Sequence, residues 1–184
     1  MARTPSTMLD LGTSAPAFSL PDTDGDIVTL EDAAAGNPLV VAFICNHCPF
    51  VIHLKEGLSA FGAEYMDKGM SMVAISPNDV ENYPQDSPEK MVQEVRLRGY
   101  TFPYLFDENQ EVAKELQAAC TPDFFLFDLE SRQRCAGKVP LTINQHYYGG
   151  LALRGSHQWF SEKNATALKQ LTAANPSAEQ LAKA

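Results

Sequence analysis

Between Pro38 and Ile44 the chain is an unbroken apolar run with two adjacent valines. A run that is short, β-branched and nearly free of polar side chains predicts a central strand buried on both faces. From Pro49 the period changes. Phe50, Leu54, Leu58, Phe61 and Tyr65 recur at three- and four-residue spacing while Lys55, Glu56 and Glu64 fall elsewhere, which predicts an amphipathic helix. Upstream, Phe18 and Leu20, then Ile27 and Thr29, alternate with polar neighbours on either side of Asp24-Gly25. This is a hairpin signal, and Leu30-Glu31-Asp32 leads from it into a short turn or helix.

Downstream, Met70–Ile75 predicts a second buried strand, followed by a loop from Ser76 to Asp86 with two prolines. Ser87-Pro88 opens a helix through Met91, Val92 and Val95, and Gly99 is its stop. Phe102–Phe106 predicts a strand, Asp107 with Gln110 a capping box for a helix through Val112 and Leu116, and Phe124–Phe127 another strand. Residues 132–139 are expected to pair with the Phe124 strand. Residues 140–160 show no clear period, a helix is expected over 161–173, and the last ten residues read as a loosely docked tail. Alternation of this kind implies an α/β domain with a parallel or mixed sheet and helices on its faces. In such sheets, reactive groups gather at the carboxyl ends of strands.

One such end carries Cys45-Asn46-His47-Cys48-Pro49-Phe50. Cys48 falls at the start of the predicted helix, and Pro49 suits the first helical position, where its missing N–H loses nothing. A helix N-terminus offers unpaired N–H donors and a partial positive charge, and both favour a thiolate. His47 adds to this if protonated. A second thiol within reach turns a nucleophile into a redox couple, and Cys45 and Cys120 are the candidates.

Composition narrows the setting. The chain has 184 residues, 45% hydrophobic and 20% charged, as an ordinary globular protein has. The net charge of -9 argues against nucleic-acid or anionic-membrane partners, which need a basic surface. The acidity is uneven: residues 1–130 hold 7 basic and 21 acidic side chains, and residues 131–184 hold 7 and 2. No secretory signal and no bilayer-long apolar run is read, so a cytoplasmic location is expected. Four cysteines do not make a disulfide-dense scaffold, and the Cys-x-x-Cys pair reads as redox chemistry or metal binding. For metal, Cys45, His47, Cys48 and His53 would all have to converge from within nine residues of one helix start. Structural zinc usually draws on two separated pairs, so no metal and no other cofactor is expected.

The segment Leu11-Gly12-Thr13-Ser14-Ala15-Pro16-Ala17-Phe18-Ser19-Leu20-Pro21-Asp22 resembles the N-terminal hairpin of the redoxin group. That group holds the alkyl hydroperoxide reductase/thiol-specific antioxidant proteins and thioredoxin-like reductases. Val41–Val51, Ala74–Asp79 and Ala119–Asp128 are similar to a peroxiredoxin-like branch with a Cys-x-His-Cys-Pro centre. The resemblance implies a thioredoxin-like fold with a central mixed sheet, flanking helices and an N-terminal β-hairpin extension. Residues 8–139 would form that domain, and 140–184 an atypical C-terminal segment. Thioredoxin-like proteins usually place the first cysteine five residues after the phenylalanine of the central strand. Counting from Phe43, that slot is Cys48, and the second-cysteine slot is Val51. The Thr/Ser and Pro that precede a peroxidatic cysteine, by three and seven residues, are here Cys45 and Val41. The usual active-site arginine near Thr121-Pro122 is also missing.

The resemblance therefore implies thiol–disulfide exchange, with Cys48 as nucleophile and Cys45 or Cys120 resolving. A peroxiredoxin-like hydroperoxide reductase is the alternative, and a redox-inactive or metal-binding scaffold the alternative of another class. Thr121-Pro122 resembles the cis-proline turn that faces the redox cysteine, and it would bring Cys120 towards Cys48. His47, Pro49, Thr121 and Pro122 are then supporting residues. The partner would be a thiol reductant or a disulfide-bearing protein, with a hydroperoxide as the other oxidant. Cys135 reads as a small buried hydrophobe.

Overall fold

The computed structural model describes residues 6, 7, 9, 13–129 and 141–143. The hairpin pairs β1 (Ser19–Pro21) with β2 (Ile27–Thr29) antiparallel, Leu20 opposite Val28. Its turn is closed by the Asp22 carboxylate, which accepts the Asp24 and Asp26 N–H groups at 2.8 and 2.9 Å. Gly25, at φ 89°, takes the left-handed conformation that this turn requires. Thr29 and Asp32 then form a reciprocal capping box on α1 (Leu30–Ala34).

The main sheet has five strands in the order β5-β4-β3-β6-β7. They are β3 (Leu39–Phe43), β4 (Ser71–Ser76), β5 (Tyr104–Phe106), β6 (Asp123–Leu129) and β7 (Leu141–Ile143). β3 runs parallel to β4, β4 is parallel to β5, and β6 is antiparallel to both β3 and β7. The sheet is therefore mixed. Side chains alternate faces along a strand, and β3 shows why its whole run is apolar. Val40 and Ala42 pack under α2 (Pro49–Met66), with Leu54, Leu58 and Phe61. Leu39, Val41 and Phe43 face the other layer, with α1, Phe18 and α4 (Glu111–Glu115). Phe43 meets Phe125 edge-to-face, 5.7 Å between ring centres.

Three expectations shift. The buried stripe of α2 starts at Val51, not at half-buried Phe50, and it includes Lys55, which is only 5% exposed. Its ammonium pairs with Glu94 of α3 (Pro88–Arg98) at 2.8 Å and donates to the Asn46 carbonyl at 3.1 Å. The expected capping box on α4 is absent. Gln110 is the N-cap, in a left-handed conformation, and its amide reaches the Pro77 carbonyl. Asp107 instead lies buried under the helix start and accepts the Ala113 N–H at 2.9 Å. Finally, a strand at 141–143 lies beside β6, in a stretch without a sequence period. Gly99, at φ 64°, ends α3 as expected. The strand expected over 132–139, the helix over 161–173, the tail and Cys135 lie outside the described residues. No described helix is long and apolar enough to cross a membrane.

Candidate active site

β3 ends at Phe43, and Ile44 keeps one further bond to β4, its N–H donating to the Ile75 carbonyl at 3.0 Å. Cys45 follows, buried at the strand end, and Cys48 is the N-cap of α2 with Pro49 at the first helical position. Thr121-Pro122 is a cis peptide at the start of β6, which pairs antiparallel with β3. That pairing brings positions 45–48 and 120–121 to one sheet end, with Cys48 and Thr121 lying 73 residues apart in sequence. Cys48 Sγ lies 3.2 Å from the Thr121 carbonyl oxygen, to which only its protonated form donates, and Cys45 Sγ lies 3.3 Å from Thr121 Oγ1. Cys45, His47, Cys48, Pro49, Cys120 and Thr121 all line one cleft of about 800 Å³. Pro122 is buried behind it.

The three described thiols differ sharply in electrostatics, and none is in a disulfide. Cys48 is held down to about 5, chiefly by the Cys45 thiol acting as donor towards it. Burial works against this, while the Thr121 side chain and the Val51 and Phe50 N–H groups of the helix start favour the anion. The sulfur makes no geometrically complete capping bond, so the helix start acts by its field more than by a single contact. Cys45 is pushed far up by the same pairing, by burial and by the charge of Asp86. Cys120 is pushed up to about 12 by burial, then by Asp123 and Cys48. Asp123 is itself raised to about 6 by burial. A thiolate with a second thiol beside it is the arrangement that thiol–disulfide exchange uses.

A measurement follows from these shifts. The rate of Cys48 alkylation by iodoacetamide is expected to rise through about pH 5 and then level off. Because the Cys45 thiol is the largest cause, Cys45→Ala should move that midpoint upward. A wild-type midpoint near the ordinary 9.0 would contradict the arrangement.

The sequence does not mark the group that grips this turn. Asp86 closes a 3₁₀ turn (Pro84–Asp86) and is fully buried. One of its oxygens accepts the Asn46 and His47 N–H groups at 2.7 and 3.1 Å. The other meets His47 Nδ1 and the Asn78 amide, both at 2.6 Å. Tyr83 stacks on the His47 ring, 4.5 Å between centres and 5° between planes. Asn46 is held further by the Gln85 carbonyl and by the Tyr104 hydroxyl. Contacts across 39 or 40 residues leave no local periodicity to read. Cys45 Sγ, a ring nitrogen of His47 and an Asp86 oxygen lie within 4.8 Å of one another. That spacing alone would admit a metal ion, while both Asp86 oxygens are already engaged by hydrogen bonds to Asn46, His47 and Asn78. His53 is exposed on α2.

The sequence profile of the AhpC/TSA family matches residues 11–132. A Mycobacterium tuberculosis protein provisionally named a peroxiredoxin is 32% identical over 109 residues, which is 59% of this chain and 64% of that protein's length. The chain thus spans less than two thirds of that relative. The crystal structure of an uncharacterized conserved protein from Geobacillus kaustophilus is 41% identical, with a TM-score of 0.73 over 96% of this chain and 89% of the other. A secreted disulfide oxidoreductase from Mycobacterium tuberculosis is 17% identical, with a TM-score of 0.57 over 81% and 95%. At that identity the likeness is one of fold alone, and the fold is thioredoxin-like.

Proposed function

The chain belongs to the AhpC/TSA family, and from that premise we propose that it is a thiol–disulfide oxidoreductase with Cys48 as nucleophile and Cys45 as resolving thiol. The observation that carries this reading is the pairing of a depressed Cys48 thiolate with a protonated Cys45 thiol in one cleft. The Cys48 thiolate attacks a substrate disulfide and forms a mixed disulfide, releasing one substrate thiolate. Cys45 then attacks the Cys48 sulfur, closes the Cys45–Cys48 disulfide and releases the second substrate thiol. A thiol reductant restores the dithiol. The substrate is a disulfide-bearing protein, and the compartment is the cytoplasm. Cys120 lines the same cleft, but its thiol donates to the Pro122 carbonyl at 3.7 Å, whereas Cys45 is the thiol that hydrogen-bonds Cys48, so Cys120 is the less suited resolver.

The family and the name of the Mycobacterium relative favour hydroperoxide as a second oxidant. A peroxidase needs groups that polarise the O–O bond. Among the described residues no arginine lines the cleft, and the Cys48 sulfur faces a carbonyl and a thiol. Disulfide exchange is therefore the better-supported reading. In Cys45→Ser the second step is blocked, so a covalent Cys48–substrate disulfide should build up and survive non-reducing electrophoresis. Peptide mapping that finds the adduct on Cys120 would replace Cys48 in this scheme, and a Cys48–Cys120 disulfide in the wild type would replace Cys45.

A further inference from the structure

A resolving thiol as buried and as strongly protonated as Cys45 poses a chemical problem, because only a thiolate attacks sulfur efficiently. Its proton needs a destination. Besides Cys48, which is in the mixed disulfide at this step, Thr121, Asp86 and His47 lie beside it. Thr121 Oγ1 at 3.3 Å can share the proton, but a hydroxyl is too weak a base to keep it. Asp86 has both oxygens filled by four N–H donors, so it has no free lone pair to offer. The His47 ring is left. Its Nδ1 is held by the carboxylate at 2.6 Å and its face by Tyr83, which leaves Nε2 as the acceptor, and the ring lines the cleft with one nitrogen within 4.8 Å of the Cys45 sulfur. One water molecule can bridge that gap, as is common before substrate binds.

On the reading that Cys45 resolves, we propose that His47, oriented by Asp86, is the proton acceptor that activates Cys45. Nucleophile, base and orienting carboxylate form the three-part arrangement general to activated nucleophiles. The step balances. Cys45 gives its proton to His47, its sulfur forms a bond to Cys48 Sγ, and the bond from Cys48 Sγ to the substrate sulfur breaks. The substrate leaves as a thiolate and takes the proton from His47. No outside oxidant enters. The order of events is built in as well. The hydrogen bond to Cys48 is the largest influence keeping Cys45 protonated, and the thiolate that accepts it is consumed once Cys48 is in the mixed disulfide. Cys45 is thus released for activation only after the first step. Asp86 is a positioning residue here, acting through the ring.

The full-length reduced protein can be mixed with dithiobis(nitrobenzoate), which releases one thionitrobenzoate when Cys48 attacks and a second when Cys45 resolves. In His47→Gln the first release should stay within about twofold of wild type, while the second slows by about 10- to 100-fold. Quenched samples should show thionitrobenzoate on the Cys48 peptide. The second release is unimolecular, so altered docking cannot imitate the effect. His47→Asn, whose amide can still donate to Asp86, guards against a disturbed turn and should behave alike. The pH profile adds a readout that a structural role would not move. The ionisable groups around the ring are Asp86 and Tyr83 from the loop and Cys45 and Cys48 from its own turn. Behind the turn are Lys55 with Glu94, and Tyr104. With the base in place the second rate should flatten with rising pH, and without it the rate should climb about tenfold per pH unit as free thiolate accumulates. Equal second rates and equal pH slopes in wild type and both variants would overturn the proposal. Loss of the second release in Cys45→Ser alongside those equal rates would overturn only the role of His47. A fast second release in Cys45→Ser would overturn the reading on which it rests.

Discussion

Cys48→Ser is expected to lower disulfide turnover by about 10³-fold or more, roughly 4 kcal/mol in barrier height. The reason lies in the charge state of one atom. At neutral pH the wild-type sulfur, held down to about 5, is almost wholly thiolate. A serine hydroxyl in the same place stays protonated and is a poor nucleophile towards sulfur, whatever the helix start and Thr121 contribute. The substitution removes one atom's chemistry and leaves the packing nearly unchanged, since Cys48 is only half-buried. The thermal midpoint should therefore move little, which separates a chemical defect from a folding defect. Parallel assays with a hydroperoxide test the second reading. If peroxide turnover in the wild type exceeds disulfide turnover and also disappears in Cys48→Ser, the thiolate is correctly placed but its oxidant is not. If disulfide turnover survives Cys48→Ser, the nucleophile is elsewhere.

The place of Cys48 at the start of α2 was legible because its signals are local. A β-branched run ends, a 3.6-residue period begins, and a proline marks the first helical position. The mixed sheet was legible for the same reason: β3 and β4 bury both faces, so their apolar runs are continuous. The cis turn at Thr121-Pro122 came from resemblance, and the structure has it. What stayed hidden depends on contacts between distant segments. Lys55 reads as a surface residue when the helix face is counted from Phe50. Counted from Val51, it sits on the buried stripe with Leu58, and it is tolerated there because Glu94 and the Asn46 carbonyl receive its charge. Asp86 looks like one acidic residue among many in a polar loop. Only the folded chain places it under the backbone of Asn46 and His47. The α4 cap failed for a similar reason. Asp107 is spent beneath the helix, and Gln110 is turned out to Pro77.

Glu94→Ala is expected to destabilise the fold by about 3 kcal/mol, near the lower end for breaking a buried ion pair. Glu94 Oε1 receives the Lys55 ammonium at 2.8 Å and the Arg98 guanidinium at 3.0 Å, with the Lys55 side chain only 6% exposed. Removing the carboxylate leaves an ammonium confined between α2 and α3 with the Asn46 carbonyl as its remaining partner. For a chain of this size the thermal midpoint should fall by roughly 6–12 °C. Lys55→Met should cost less, because the carboxylate it leaves behind still has Arg98 and lies nearer to solvent. The double variant Lys55→Met/Glu94→Gln should recover most of the loss, since a well-packed apolar side chain often replaces a buried pair at little cost. The pair also bears on the site, because Lys55 pins the carbonyl of the residue between Cys45 and His47. Lys55→Met is therefore expected to loosen the turn even where global stability holds, and faster hydrogen exchange at the Asn46 and His47 amides would report it. Unchanged exchange there, together with a small shift for Glu94→Ala, would mean that Asp86 alone holds the turn and that the ion pair is incidental.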